Sequence, residues 1–254
     1  PGQAAQLDEH GVSAGRKFLL IFALLAAGIV AAGTLNYRST ARTLRSTAEE
    51  QLSTIADLKV AQLVAWRRER LSDGGVLFGN PSFAKSVRNF LAQPADADVR
   101  RQVTDWLDGY LEGYGYDQIG LIDAQGVSRL TVPVTKFPRS SVSLRGAAEV
   151  LRSGQVSLED IYRNEHDQKL YLQVAIPIYD ATRAHRPLGV IDLRLEPETF
   201  LYPAIQTWPV PSPSGEVLLV RRDGNEVVFL NALRFRPAAA LELRLSTAWR
   251  RPFD

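Results

Sequence analysis

The chain has 254 residues, of which 45% are hydrophobic and 23% charged, enough apolar material for one or two folded domains and too much for a disordered chain. Thirty Lys+Arg against 28 Asp+Glu leave a formal charge of +2, without the strongly basic face of a nucleic-acid binder, so no nucleic-acid partner is expected. Cysteine is absent, which excludes disulfides, Cys-ligated zinc or iron–sulfur centres and a thiol nucleophile.

The sequence starts at Pro1 and holds no methionine, so it reads as a fragment of a longer protein. Residues 1–17 form a short tail. Residues 18–33 are all apolar or glycine, and Thr34 and Leu35 extend the run as far as Asn36. At about 1.5 Å per residue, residues 18–35 reach roughly 27 Å, just enough for a bilayer core. A secretory segment with a cleavage site near Ala31-Ala32-Gly33 is the competing reading, and the run length favours an uncleaved anchor. Arg16 and Lys17 precede the span and Arg38, Arg42 and Arg45 follow it, so charge does not settle its orientation.

Residues 36–76 read as one long exit helix. No Gly or Pro interrupts residues 39–72, and Leu44, Ala48, Leu52, Ile55, Leu58, Ala61 and Ala65 recur at steps of three and four, with Trp66 on the same face. Asp73-Gly74-Gly75 is the expected stop. The stripe suits a core helix or a signalling and dimerisation helix, and can serve both.

Helical patterns follow at residues 82–92 and 97–114. Two β-rich runs then flank the Asp123-Ala-Gln-Gly126 turn, the signal of a hairpin. A short helix is expected at 144–152 and β-type runs at 156–162, 169–178 and 188–195. The fold class is therefore α+β, with an antiparallel sheet of about five strands. A second hairpin around Asp223-Gly224 follows the Pro-rich stretch 208–215, and one more strand is expected near 241–245. The layout reads as residues 77–207 forming one lobe and 208–254 forming a linker and an incomplete second one.

The order of these parts resembles the double Cache (PAS-like) extracytoplasmic sensor regions of bacterial receptors. The residues that carry the likeness are Leu58-Lys-Val-Ala-Gln-Leu-Val-Ala-Trp66 with Arg67-Arg-Glu-Arg70, the Leu121-Ile-Asp-Ala-Gln-Gly126 hairpin, Val174-Ala-Ile-Pro-Ile-Tyr179, and Leu188-Gly-Val-Ile-Asp192-Leu193. The resemblance implies a transmembrane receptor with a cytoplasmic N-terminal tail, anchored in the inner membrane and paired as a homodimer. A small molecule (an organic acid, an amine or an amino acid-like compound) would bind the membrane-distal lobe, and helices would relay the event across the bilayer. The output domain of such receptors is a histidine kinase, a diguanylate cyclase or a chemoreceptor signalling domain. None of their motifs occurs here, so no catalysis and no cofactor are expected of these residues. A membrane-tethered periplasmic enzyme and a scaffold protein are the alternatives from other classes.

Strand alternation sets Leu170, Leu172, Val174 and Ile176 on one face and Tyr171, Gln173 and Ala175 on the other, with Asp192 and Arg194 on the corresponding face of the next strand. Those polar residues could line a pocket, although an antiparallel sheet can equally keep a solvated face. The resemblance implies that Asp192 pairs with a ligand ammonium. Tyr162, Arg129, Arg145 and Arg163 are further polar candidates, either of Arg129 and Arg145 suiting a carboxylate through a bidentate pair. The Arg-x-Trp-Tyr signature of amino-acid sensors has no Trp-Tyr counterpart in Ser143-Leu-Arg-Gly-Ala-Ala148. His10, His166 and His185 are too scattered for a metal site.

Overall fold

The computed structural model describes residues 4–180, 182, 186–208, 212 and 214–248, side chains of 4–16, 77 and 78 apart. Pro1, His185, Trp249, the His10 side chain and half of the Pro-rich stretch lie outside the described residues. Two compact units emerge, Pro1–Leu58 and Lys59–Asp254.

The first unit is helical. It holds most of helix α1 (Ala4–Phe78), whose side chains from residue 17 to 54 are all exposed. This stretch contains a segment long and apolar enough to cross a membrane. Within it the Thr34 hydroxyl donates to the Ala31 carbonyl at 2.9 Å, which satisfies a polar side chain among apolar neighbours.

In the second unit, α1 continues past the stop expected at Asp73-Gly74-Gly75 and ends at Phe78. The glycine is there for closeness instead. A Cβ at Gly74 would lie 2.9 Å from Val156 Cγ1 and 3.1 Å from Ile176 Cγ1, so only a bare Cα lets the helix sit this close to the sheet. Beside it, the buried Arg70 donates to the Tyr114 carbonyl at 2.9 Å and pairs with Asp73 at 3.3 Å. Tyr116 donates its hydroxyl to Asp73 Oδ2, and Tyr110 to the Asp73 carbonyl. Burial pushes the Asp73 carboxyl up, and Arg70 and the Tyr116 hydroxyl draw it part of the way back.

Helix α2 (Pro81–Ala92) starts where Asn80 accepts the Ser82 and Phe83 N–H groups and Pro81 fills the first turn. Helix α3 (Ala97–Tyr114) is capped by Asp96 and closed by Gly115 in the left-handed region. Strands β1 (Gln118–Asp123), β2 (Ser128–Val132), β3 (Ser157–Arg163), β4 (Leu170–Tyr179) and β5 (Pro187–Leu195) form one antiparallel sheet in the order β2-β1-β5-β4-β3. Helix α4 (Ser141–Ser153) connects β2 to β3.

The sheet has two unlike faces. Ile119, Leu121, Val174, Ile176, Ile191 and Leu193 join Phe83, Val87, Phe90, Val103 and Leu107 in the main core, each such side chain contributing about 1.5–3 kcal/mol over exposure. Ile122, Ala175 and Val190 face the other way and meet Ala147 and Val150 of α4 in a smaller cluster. Helix α5 (Leu201–Gln206) follows β5, and then a three-stranded antiparallel sheet of β6 (Val220–Asp223), β7 (Glu226–Phe229) and β8 (Arg244–Ser246). Val228, Leu230 and Ala240 of this region share the main core with Leu201, Tyr202 and Ile205, so the expected second lobe does not stand apart as a separate compact unit.

Two outcomes check this account. Gly74→Ala is expected to cost about 1–3 kcal/mol through overpacking, whereas Gly75→Ala, with nothing within 4 Å of its Cβ, raises stability by up to about 1 kcal/mol as helix propensity dictates; urea melts in detergent micelles compare the two. Asp123 supplies a pH test. Burial opposes its ionisation, but the Val127 N–H, the Arg129 guanidinium and the Gln125 N–H outweigh that and hold its carboxyl below the ordinary 3.8. The folded state thus binds fewer protons than the unfolded one in that range. The stability it confers is complete above the ordinary value and is lost as pH falls through the lowered one. The gap in melting temperature between wild type and Asp123→Asn should accordingly narrow on acidification, and a gap that widened instead would refute the assignment.

Candidate functional site

The α4 face of the sheet carries the polar residues. Asp192 lies in the middle of β5, paired across the sheet with Gly120 of β1 and Ala175 of β4. Both neighbours are small, so the carboxylate stands in a recess whose roof is α4. Gly146 of that helix comes close enough that a Cβ would sit 3.3 Å from Gln173 Nε2.

Into this recess comes Arg139, from the loop that enters α4. Its position follows from the helix start: Ser140 is the cap, accepting the Ser143 N–H at 3.0 Å. That fixes the preceding residue over the sheet, and the Arg139 guanidinium lies against Gly120. Arg139 Nη1 approaches Asp192 Oδ2 to 2.9 Å, with the side chains only 5% and 0% exposed. The contact is one of charge alone. Neither carboxylate oxygen and none of the three guanidinium nitrogens has a hydrogen-bond partner of proper geometry among the described residues. Burial pushes the Asp192 carboxyl up, and the charges of Arg139 and Arg194 pull it partly back.

Around the pair sits a neutral polar network. Ser143 donates its hydroxyl to Gln173 Oε1 at 2.7 Å, and the Tyr162 hydroxyl lies 3.4 Å from Ser143 Oγ and 3.5 Å from Gln173 Oε1. Burial and the nearby Asp192 charge raise the Tyr162 phenol, which stays protonated. The chemistry on offer is recognition: one anion, one cation and three neutral hydrogen-bonding groups, all buried.

Of the residues anticipated from sequence, Asp192, Gln173 and Tyr162 converge here. Tyr171 and Arg194 lie alongside but are committed elsewhere: Arg194 donates to Asp117 Oδ2 through Nε and Nη2 at 3.1 and 2.9 Å, with its guanidinium 4.0 Å above the Tyr171 ring, and the Tyr171 hydroxyl donates to Asp167 at 2.8 Å. Two others lie away from this group. Arg129 pairs with Asp123 in the β1–β2 hairpin, where it borders an open cleft of about 550 Å³ with Arg88, Asp180 and Arg186. Arg145 is exposed on α4, because the helix periodicity that buries Ser143, Gly146 and Ala147 turns position 145 outward. Arg163, also considered, donates to the Ala240 carbonyl at 3.1 Å. Arg139 itself was not anticipated from sequence, nor were Ser140 and Ser143. The available signal was Gly120, since a glycine inside a strand marks close approach of another group.

No protein-family model matches the sequence, and no curated protein matches it. Among solved structures, the ligand-binding domain of the Pseudomonas fluorescens chemoreceptor CtaA, in complex with L-serine, is 16% identical with a TM-score of 0.52, covering 78% of this chain and 77% of that one. The fold is shared with that ligand-binding domain. Also similar are the sensor domain of the V. cholerae histidine kinase DctB, 15% identical at a TM-score of 0.49, and the ligand-binding domain of the Pseudomonas aeruginosa amino acid chemoreceptor PctC in complex with GABA, 18% identical at 0.43. This chain spans 57% and 66% of those two domains.

A buried ion pair with no other support makes a thermodynamic signature. Arg139→Met or Asp192→Leu alone is expected to cost about 3–5 kcal/mol by stranding the other charge, while the two together are neutral or stabilising by up to about 4 kcal/mol. Equilibrium urea unfolding of the four proteins measures this, and simple additivity of the two losses would sink it.

Proposed function

We propose that this chain is the small-molecule sensing region of a membrane-bound signal-transduction receptor, and that its ligand binds between Arg139 and Asp192. The observation that carries the reading is the pair itself: five buried polar atoms on two opposite charges, none with a hydrogen bond of proper geometry. A native protein seldom leaves such groups unmet, and a ligand that brings both an ammonium and a carboxylate meets them with charge-assisted hydrogen bonds. A zwitterion such as an α-amino acid fits, the ammonium at Asp192 and the carboxylate at Arg139. The fold supports the reading too, since the neighbour whose fold matches at 0.52 is a ligand-binding domain holding L-serine. No catalytic step is assigned to these residues.

Entry requires the Arg139 loop to lift, and that loop is built to move more easily than the sheet. Val134 and Phe137 are exposed on it, whereas β1, β4 and β5 are held on both faces. The event reaches α1 by contacts already described. Arg194, two residues from Asp192, is tied to Asp117; the adjacent Tyr116 reaches Asp73, and Tyr114 receives Arg70. We read residues 18–35 as the span, the rest as extracytoplasmic, the inner membrane as the location, and a homodimer paired through exposed Leu44 and Leu52 as the working form.

The test is a thermal-shift screen of the full chain in nanodiscs against amino acids, amines and organic acids, repeated on Asp192→Ala and Arg139→Ala. A ligand at a hundred times its dissociation constant stabilises the folded state by about 2.7 kcal/mol. A shift that vanishes in both variants supports the reading; a shift that survives both places the ligand elsewhere, and no shift from any class removes the sensor assignment.

A further inference from the structure

Gly120 sits in the middle of β1 between Ile119 and Leu121, both fully buried, and its backbone does not need glycine: it lies within a regular strand, and its φ is outside the left-handed region. Glycine weakens a strand interior, so another constraint keeps it. The constraint is the guanidinium. A Cβ at position 120 would overlap Nη2 and Cζ of Arg139 and lie 2.7 Å from Nε. The flat face of the arginine therefore occupies the volume that any side chain at 120 would take. Because Gly120 is the register partner of Asp192, that volume is the one place on β1 from which a cation can stand beside the carboxylate.

We propose that Gly120 is the specificity-determining residue of the site: by admitting Arg139 it adds a carboxylate-binding cation next to the ammonium-binding anion, and so sets the charge class of the ligand. The inference rests on the sensor reading above and deepens it. With a methyl group at 120 the guanidinium is forced out, and Asp192 alone remains to select a simple amine. Ala175, the other register partner, already carries a Cβ, so β4 offers no such bare position beside the carboxylate.

Three probes separate the two charges: L-serine carries both, ethanolamine lacks the carboxylate, and 3-hydroxypropionate lacks the ammonium. Isothermal titration of the full chain in nanodiscs is expected to show L-serine bound more tightly than ethanolamine by a factor on the order of ten to a hundred. In Gly120→Ala that preference falls to about one, through loss of L-serine affinity with ethanolamine retained. Since Gly120→Ala also introduces an overlap, a stability cycle accompanies it. Gly120→Ala lowers the melting temperature in the wild-type background but not in Arg139→Ala, where the overlapping atoms are gone. An equal fall in both backgrounds overturns the proposal, as does a Gly120→Ala protein that keeps its preference for L-serine. Silence of wild type toward all three probes overturns it too. The sensor reading fails separately: its failure is a folded wild type that answers no compound in the broader screen, or one whose response ignores Asp192 and Arg139.

Discussion

The contact between Arg139 and Asp192 is the constraint around which the α4 side of the molecule is arranged. Two opposite charges 2.9 Å apart and almost wholly out of water attract strongly, but each gave up hydration to get there, and continuum and mutational arguments agree that such pairs rarely stabilise a fold better than apolar side chains of the same size. Here the loss is not offset by the usual supporting hydrogen bonds. The neighbours are consistent with a site and not with a core. Gly120 and Ala175 flank the carboxylate, Gly146 brings α4 down to Gln173, and Ser143, Gln173 and Tyr162 bond to one another beside the ions.

The opposite face of the same sheet shows the alternative solution. There α2 and α3 contribute aromatic and aliphatic side chains to a dry core, and α1 approaches so closely at Gly74 that a methyl group would meet Val156 and Ile176. A polar exception on α1 is the Arg70–Asp73 node, which holds the joint between α3 and β1 through Tyr110, Tyr114 and Tyr116. That joint also includes Asp117, the partner of Arg194. One short segment thus touches both the strand that bears Asp192 and the helix that leads toward the apolar span. The hydrogen bonds of this joint connect Arg194 to α1 through Asp117, Tyr116 and Asp73, the contiguous contact that the proposed relay would need.

Most of the fold was legible because its signals are periodic. Alternation gave the five strands and their faces, helical spacing gave α2 and α3, and the Asp123 and Asp223 turns announced the hairpins. The failures share one cause, that a glycine has two meanings. Gly74-Gly75 was read as a helix stop, yet Gly74 marks close packing, and Gly120 was passed over although its meaning is the same. Arg139 was invisible for a related reason. It lies in the aperiodic Phe137-Pro-Arg-Ser-Ser141 loop, where no pattern says which way a side chain turns, and its partner is 53 residues away along the chain by the numbering of the ion pair. Asp192 could be placed on the correct face, but whether that face was pocket or solvent depended on α4, which buries Ser143, Gly146 and Ala147 while exposing Arg145.

The closed pair also explains how such a site would discriminate. A ligand with one charge can replace one half of the contact, but it leaves the other ion buried and unmatched, and truncating one member of a buried charge pair is costlier than never having built it. A ligand with both charges leaves nothing stranded. Selectivity then comes from the penalty against partial matches as much as from attraction to the full one. It also sets the sense of the conformational response: the zwitterion takes over contacts that had held the Arg139 loop to β5, so binding exchanges an internal tie for two external ones. The sheet need not deform. What such a ligand would displace is the loop that carries Arg139, because that loop and not the sheet supplies the cation.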